Sequence, residues 1–210
     1  MWKWLLKASN HLISLTFSKL FFPLTVYGLE HYPPKNESVL LALNHESKAD
    51  SFLVLLAVEE YVKRQVDLRA FVAALHMDAW YGWWLRGQDM YVVRRGDGFE
   101  QLDVGIGFLR CGGHLAIFPE ARIRRGRSLP ARKGIAYIAH KTGVPILPIH
   151  IEYIPSRYFW YRKCIITIGA YIDSTGVKPE TYQEFADMVM REVDSLPAKR
   201  NLYQKTFQHV

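Results

Sequence analysis

The chain has 210 residues, half of them hydrophobic, which suits one α/β domain with a large core, and it contains no low-complexity segment or internal repeat. Lysine and arginine number 27 against 20 aspartates and glutamates, so the formal charge of +7 favours anionic partners: phosphates, phospholipid surfaces, nucleic acid or acidic proteins. The cysteines Cys111 and Cys164 match no metal-ligand spacing, and no uncharged apolar run reaches the roughly 18 residues that a membrane-spanning helix needs.

The first predicted element is an amphipathic segment over residues 1–30. Lys3 and Lys7 lie on one helical face with polar neighbours, while apolar residues, Trp2 among them, supply the other faces. A basic amphipathic helix with tryptophan at its start can lie in a lipid interface without crossing it. The alternative is a helix simply packed on the main domain, which we expect over residues 31–210.

Strands and helices alternate along the rest of the chain. Strands are predicted at 38–43, 68–75, 90–93, 114–118, 145–153 and 164–172, and helices at 49–62, 77–85, 99–109, 133–141 and 182–196. This alternation predicts an α/β fold: a single domain with a largely parallel, mixed central sheet covered by helices, plus the N-terminal amphipathic helical segment.

Three chemically capable residues follow separate strands of this predicted sheet. His45 follows the first strand, Arg94 ends the third and Glu120 follows the fourth. In open α/β sheets, sites form beyond the carboxyl ends of the strands. If those strands run parallel, the three residues meet at one edge, and the sequence predicts a site there.

The segment Asn44 to Asp50 places a histidine and a carboxylate five positions apart, where a buried strand gives way to a helix. An aspartate that accepts the proton of one ring nitrogen fixes the tautomer and stabilises the imidazolium that forms when the other nitrogen takes a proton. His45 and Asp50 are therefore the catalytic candidates, as a general base and its partner. No serine or cysteine nucleophile is evident nearby, so the activated hydroxyl can belong to a substrate. Asn44 can hydrogen-bond either the turn or the substrate.

A basic loop follows the fourth strand. Residues 118–127 contain four arginines without an apolar period, and planar guanidinium groups match phosphate oxygens in pairs. Arg122 and Arg124 are therefore candidates for binding a phosphate, as is Arg94. The alternatives are a solvated loop, or one that touches lipid headgroups, and a surface ion pair for Arg94. Glu120 can orient an arginine or bind a substrate hydroxyl.

Four segments, in order, resemble the glycerolipid acyltransferase family, which includes lysophosphatidate and glycerol-3-phosphate acyltransferases. Residues 44–50 match its histidine–four residues–aspartate motif, 87–94 its second block, 118–120 the start of its third and 144–149 its fourth. Two departures stand out. The second block is one residue longer than usual and has Val93 where an acidic residue is common. The third block has Ala121-Arg122-Ile123 in place of glycine-threonine-arginine, and either Arg122 or Arg124 could replace the missing arginine.

The resemblance implies that residues 31–210 form an acyltransferase domain. It would move a fatty acyl chain from an acyl thioester, acyl-CoA or acyl carrier protein, to a hydroxyl of a lysophospholipid or glycerol-phosphate acceptor, with 1-acylglycerol-3-phosphate expected. His45 would be the general base and Asp50 its orienting partner, with no metal and no cofactor beyond the thioester co-substrate. The residues assigned to acceptor binding are Asn44, Arg94, Glu120, Arg122 and, in reserve, Arg124. We expect a cytoplasmic protein that lies peripherally on the inner face of a membrane and binds its anionic surface. We expect no nucleic acid partner.

Three other hypotheses remain open from the sequence. A metal-dependent hydrolase could use His45, Glu46 and Asp50, with His76 and Asp78 as further ligands. A noncatalytic lipid- or nucleic-acid-binding protein could use the basic loop, although no nucleic-acid recognition module is present. The altered second and third blocks also allow an acyltransferase that acts on a different acceptor.

Overall fold

The computed structural model describes residues 23–34, 37–51, 53–54, 57–58, 67–74, 90–94, 98–124, 126–155, 157, 162–203 and 205–208. The strands within these ranges are β1 (Leu24–Tyr27), β2 (Val39–Leu43), β3 (Leu68–Ala73), β4 (Met90–Val93), β5 (His114–Ile117), β6 (Ile146–Ile154), β7 (Lys163–Ile168) and β8 (Lys205–Gln208). The α-helices are α1 (Asp103–Arg110), α2 (Gly134–Thr142) and α3 (Tyr182–Lys199). Residues 50–51, 53–54 and 57–58 are also helical.

The described strands form one sheet in the order β4-β3-β5-β2-β6-β7-β1-β8. Five of its seven neighbouring pairs are parallel, and the β6–β7 and β1–β8 pairs are antiparallel. The predicted α/β domain with a largely parallel, mixed sheet is therefore confirmed. Strands β2 to β6 run in one direction, so their carboxyl ends lie at the same edge of the sheet.

The core lies on both sides of β2, whose five residues are all buried. Successive side chains of a strand point to opposite faces of its sheet. Three residues of β2 pack on the face that carries the helical residues 53–54 and 57–58, and the two that alternate with them pack against α1, α2 and α3. Because both faces are covered, β2 reads in the sequence as an unbroken apolar run, without the polar alternation of a half-exposed strand.

Two C-terminal elements differ from the prediction. The strand expected over 164–172 ends at Ile168, and Ile172 instead exchanges two backbone hydrogen bonds with Ile146. Strand β8 was not predicted, although it forms the edge of the sheet beside β1. The helix expected at 77–85 lies outside the described residues.

The N-terminal prediction is tested only at its end. Strand β1 falls within the segment expected at residues 1–30, and it lies inside the sheet between β7 and β8. The amphipathic helix expected before it, over residues 1–22, lies outside the described residues. Across the described ranges, no helix combines the length and the apolar character that a bilayer crossing requires.

Candidate active site

The loop after β2 carries His45 and Asp50 at the carboxyl edge of the sheet. Nδ1 of His45 lies 2.9 Å from Oδ2 of Asp50. The Asp50 side chain is fully buried, whereas that of His45 retains 17% of its surface exposed. Since a carboxylate accepts hydrogen bonds, Nδ1 carries the hydrogen and Nε2 is the ring nitrogen that can take a proton. The pair has the geometry of a general base and its orienting carboxylate.

Four donors hold the Asp50 carboxylate in place. Oδ2 accepts the backbone N–H groups of Glu46 at 2.7 Å and Ser47 at 2.8 Å, in addition to the imidazole N–H. Oδ1 accepts the hydroxyl of Tyr153 at 2.6 Å. A buried charge needs such partners. The loop between the two motif residues supplies two of them by folding back around the carboxylate, and this explains why the pair can be so close in sequence.

Asn44 anchors the start of this loop. It is fully buried, and its amide group donates to the carbonyl oxygen of Ile151 at 2.9 Å while its amide oxygen accepts the Ile151 N–H at 2.7 Å. The side chain thus extends the backbone pairing between β2 and β6 by one step. Within the turn, the amide nitrogen of Asn44 also lies 3.4 Å from Oε1 of Glu46, and substrate binding by Asn44 stays a prediction.

The segment after β5 packs directly on the His45 loop. The Phe118 ring stacks on the imidazole of His45, with the ring centroids 4.3 Å apart. Glu120 is 2% exposed, and its Oε2 accepts the backbone N–H of His45 at 3.2 Å. Its carboxylate also accepts Nε of Arg124 at 2.6 Å and the Leu129 N–H at 3.3 Å. Glu120 therefore orients an arginine, while its predicted contact with an acceptor stays a prediction.

Arg124 lies beneath this loop and is 8% exposed. Its backbone N–H donates to the carbonyl oxygen of His45 at 2.6 Å, and its Nη1 lies 2.6 Å from Oδ1 of Asp194 on α3. Burial lowers the pKa of Arg124, but the hydrogen bonds to Glu120 and Asp194 outweigh burial and raise it. Nε and Nη1 thus bind two carboxylates of the protein itself, while Nη2 is buried without a hydrogen-bond partner among the described residues.

The other two arginine candidates are exposed at the same edge. Arg122 is exposed within the loop that contacts His45. Arg94 is exposed at the end of β4, where its backbone exchanges hydrogen bonds with the side chain of Gln101. The strand order places β4 three strands from β2, or about 14 Å at the usual spacing. The predicted convergence at one edge is present, with Arg94 at its far side.

Ala121 has a backbone conformation that favours glycine. Its φ of 53° is the one positive value at a non-glycine residue among those described. For a residue with a Cβ atom, the left-handed region costs about 1–2 kcal/mol. Ala121 stands where the resembling family has glycine, so this chain keeps the turn after Glu120 in spite of the substitution.

Sequence reasoning missed three contacts with the site. Phe118 is the first residue of the segment matched to the third block, but nothing in the sequence indicated that its ring stacks on His45. Tyr153 and Asp194 lie on β6 and α3, far along the chain from the residues they bind. A polar residue at the carboxyl end of a predicted parallel strand was the available signal for Tyr153, whereas Asp194 carried none.

No group of three or more histidine, cysteine, aspartate or glutamate side chains is placed to hold a metal ion within the described part of the chain. Two of the ligands considered for a hydrolase, His76 and Asp78, lie outside that part.

Comparison with known proteins decides the family. The sequence model of the Acyltransferase family matches residues 23–152, which is more than half of the chain. The chain belongs to the Acyltransferase family. The matched region includes His45, Asp50, Glu120 and Arg124, and it ends before Tyr153 and Asp194.

Similar proteins point in the same direction. The chain is 30% identical over 136 residues to the chloroplastic 1-acyl-sn-glycerol-3-phosphate acyltransferase BAT2 of Brassica napus, covering 61% of this chain and 37% of that protein. It is 28% identical over 133 residues to the chloroplastic 1-acyl-sn-glycerol-3-phosphate acyltransferase LPAT1 of Arabidopsis thaliana, covering 61% and 36%. The chain thus spans little more than a third of the length of these curated relatives.

A solved structure supports the fold. The crystal structure of the 1-acyl-sn-glycerophosphate (LPA) acyltransferase PlsC from Thermotoga maritima superposes with a TM-score of 0.66 at 26% identity. The match covers 93% of this chain and 81% of that one. The family resemblance inferred from the motifs is therefore confirmed.

Proposed function

We propose that this protein is an O-acyltransferase that moves a fatty acyl chain from acyl-CoA or acyl carrier protein to a hydroxyl of 1-acylglycerol-3-phosphate or a related lysophospholipid. The observation that carries the proposal is the His45 imidazole held 2.9 Å from the buried Asp50 carboxylate in a chain of the Acyltransferase family. The acceptor is supported by the names of the two plant relatives and of the bacterial structure.

In this reaction His45 transfers the proton. Nε2 of His45 takes the proton of the acceptor hydroxyl, and the oxygen forms a bond to the carbonyl carbon of the thioester. The carbon–sulfur bond then breaks, and the departing thiolate receives the proton from His45. Asp50 stabilises the imidazolium between these two steps. General base catalysis supplies roughly 10²–10⁴-fold, and the positioning of the two substrates supplies much of the rest.

The phosphate of the acceptor is assigned to Arg122 first and Arg94 second. Arg122 is exposed, and its loop is joined to the His45 loop through the backbone bond between Arg124 and His45. Arg124 is the weaker candidate because Glu120 and Asp194 occupy its guanidinium group. An arginine without a protein partner can pair with two phosphate oxygens at once.

A thiol-release assay tests the proposal. Acyl-CoA and acyl carrier protein donors of several chain lengths are combined with a panel of lysolipids and glycerol-3-phosphate, and mass spectrometry identifies the product. We expect release of free thiol with a lysophospholipid acceptor and a loss of roughly 10²–10⁴-fold or more in His45→Ala. His140→Ala, at an exposed histidine of α2, is the matched control and should retain activity.

Two results would reject the proposal. One is a folded His45→Ala protein that is as active as the wild type. The other is the absence of thiol release from every donor while lipid binding survives in His45→Ala, which would favour the noncatalytic lipid-binding alternative.

A further inference from the structure

Tyr153 contacts the proposed catalytic pair and lies directly after residues 23–152, which the family model matches. It lies on the part of β6 that extends past the end of β2, and its ring packs against the core cluster beneath the helical residues 53–54 and 57–58. Its hydroxyl donates to Oδ1 of Asp50 at 2.6 Å, across 103 positions of the chain. The acceptor is a fully buried carboxylate, so this bond is shielded from water.

The hydroxyl is fixed as a donor. Burial, together with the negative charge of Asp50, raises the pKa of Tyr153 well above its usual range. The phenol therefore keeps its proton and gives the hydrogen bond to the carboxylate. A short O–H bond to a charged oxygen is among the stronger hydrogen bonds in proteins.

The two oxygens of Asp50 have different partners. Oδ2 accepts the imidazole N–H and two backbone N–H groups, and Oδ1 accepts the tyrosine hydroxyl. Loss of the hydroxyl would leave the carboxylate held from one side only. It would also concentrate negative charge on the atoms that face the imidazole.

We propose that Tyr153 is a positioning residue for the His45–Asp50 pair: its hydroxyl holds the Asp50 carboxylate in line with Nδ1 of His45 and disperses part of its charge. The catalytic consequence rests on the proposed function, whereas the effect on the imidazole does not. Tyr153 is not itself assigned contact with either substrate.

Several other ionisable groups of the described residues lie around the pair, including the exposed Lys48 of the same loop. Glu46, on the same loop, has a pKa raised mainly by burial, with Asp50 and Glu120 adding to the rise. On the β5 side, Glu120 pairs with Arg124, which also pairs with Asp194 of α3. Cys164 on β7 is buried, and burial with the charge of Asp50 raises its pKa, so it remains uncharged. From β6, the hydroxyl of Tyr153 reaches the Asp50 carboxylate directly.

Tyr153→Phe removes the hydroxyl and with it the hydrogen bonds to Asp50 and to the Ser47 side chain. Because the carboxylate charge would then act more fully on the imidazolium, we expect the variant to hold the proton of His45 more tightly than the wild type does. The acidic limb of the kcat/KM profile should move upward with it. At neutral pH we expect kcat to fall roughly tenfold with KM little changed, since the hydroxyl positions the base and does not bind substrate.

Tyr32→Phe is the matched control. Tyr32 is also buried, and its hydroxyl lies 2.9 Å from Nδ1 of His114, at the amino end of β5 and thus at the opposite edge of the sheet. The control removes the same atom from the same residue type, so it reports the general cost of losing a buried tyrosine hydroxyl. We expect Tyr32→Phe to leave both the pH profile and the His45 titration unchanged.

The deciding measurement is an NMR titration of the imidazole signals in the full chain, with those of His45 identified by their loss in His45→Gln. An upward shift in Tyr153→Phe and none in Tyr32→Phe supports the proposal, whether or not acyl transfer is detected. Equal titrations of wild type and Tyr153→Phe overturn it. So does a loss of activity that is uniform across pH and matched by Tyr32→Phe. Failure of the proposed function would appear separately, as missing thiol release in the wild type.

Discussion

Arg122 and Arg124 lie two residues apart in the same loop, but their surroundings differ. Arg122 is exposed, whereas Arg124 is 8% exposed and pairs with Glu120 and Asp194. Position in the basic loop made both of them candidates for the acceptor phosphate. Burial distinguishes them. A buried guanidinium would have to give up two carboxylate partners to bind a ligand, whereas an exposed one would give up only water.

We expect Arg124→Ala to lower the free energy of unfolding by about 3–5 kcal/mol, because it leaves the buried Glu120 carboxylate without its cation. Arg122→Ala, two residues earlier in the chain, should change it by no more than about 0.5 kcal/mol. Urea denaturation of both variants measures the difference. Equal destabilisation would show that the two guanidinium groups are not distinguished by burial.

The same exposed arginine carries a kinetic prediction. Arg122→Ala should raise the apparent KM for the phosphate-bearing acceptor while leaving the KM for the acyl thioester unchanged, because the guanidinium is proposed to bind only the former. Initial rates at varied acceptor and fixed donor measure this. An unchanged dependence on acceptor concentration would move phosphate binding elsewhere, with Arg94→Ala the next variant.

At the scale of elements, α3 does more than cover the sheet. One face of the helix packs into the core with α1 and α2, and Asp194 reaches Arg124 below the His45 loop. The helix also faces His150 of β6, whose Nδ1 is buried without a hydrogen-bond partner among the described residues. Helix α3 lies outside the residues that the family model matches, yet its Asp194 contributes to the polar contacts beneath the proposed site.

His150 makes the α3–β6 contact sensitive to acid. Burial lowers the pKa of His150 from its usual 6.5, and the charge of Arg124 lowers it further, while Asp194, Glu152 and the Val193 carbonyl act in the opposite direction. The unfolded chain therefore takes up the proton first as the pH falls. Stability associated with neutral His150 is present above about pH 6.5 and is lost as the pH falls from there through the lower folded-state value.

His150→Gln should remove part of this pH dependence. We expect its free energy of unfolding to fall less than that of the wild type between about pH 7.5 and pH 5.5, as measured by urea denaturation at both values. His140→Gln, on the exposed side of α2, provides the comparison. An identical pH dependence in the wild type and His150→Gln would show that folding does not disfavour the protonated form of His150.

At the scale of the whole molecule, the net positive charge favours approach to an anionic membrane, where the proposed substrate is found. The chain carries a formal charge of +7, and exposed basic residues occur in the loop that follows β5. Lysophospholipids reside in membranes, so an acyltransferase of this kind gains from attraction to an anionic surface. Such attraction acts over roughly 10 Å at about 0.1 M salt and weakens as ionic strength rises.

We expect the full chain to co-sediment with vesicles that contain phosphatidylglycerol more strongly than with vesicles of phosphatidylcholine alone. Raising the salt from about 0.05 M to about 0.5 M should remove most of the difference, because it shortens the range of the attraction to a few ångströms. Equal binding to both vesicles at low salt would contradict an electrostatic contribution. Binding to anionic vesicles that is insensitive to salt would indicate insertion of apolar surface instead.

The class of fold and the contact between His45 and Asp50 could be predicted from the sequence alone. Strand β2 is visible as an apolar run because both of its faces are buried, and His45 and Asp50 are visible because their contact is closed within one short loop. The meeting of strand ends at one edge followed from the parallel pairing that alternating strands and helices impose.

The folded chain was needed to show which arginine is buried, that Glu120 bonds to the His45 backbone, and that Tyr153 and Asp194 contact the proposed site. These residues are far apart in the sequence. These contacts join residues that come together only after the sheet has assembled and α3 has packed on it. No local sequence pattern indicates which polar atom of a distant strand or helix will contact these residues.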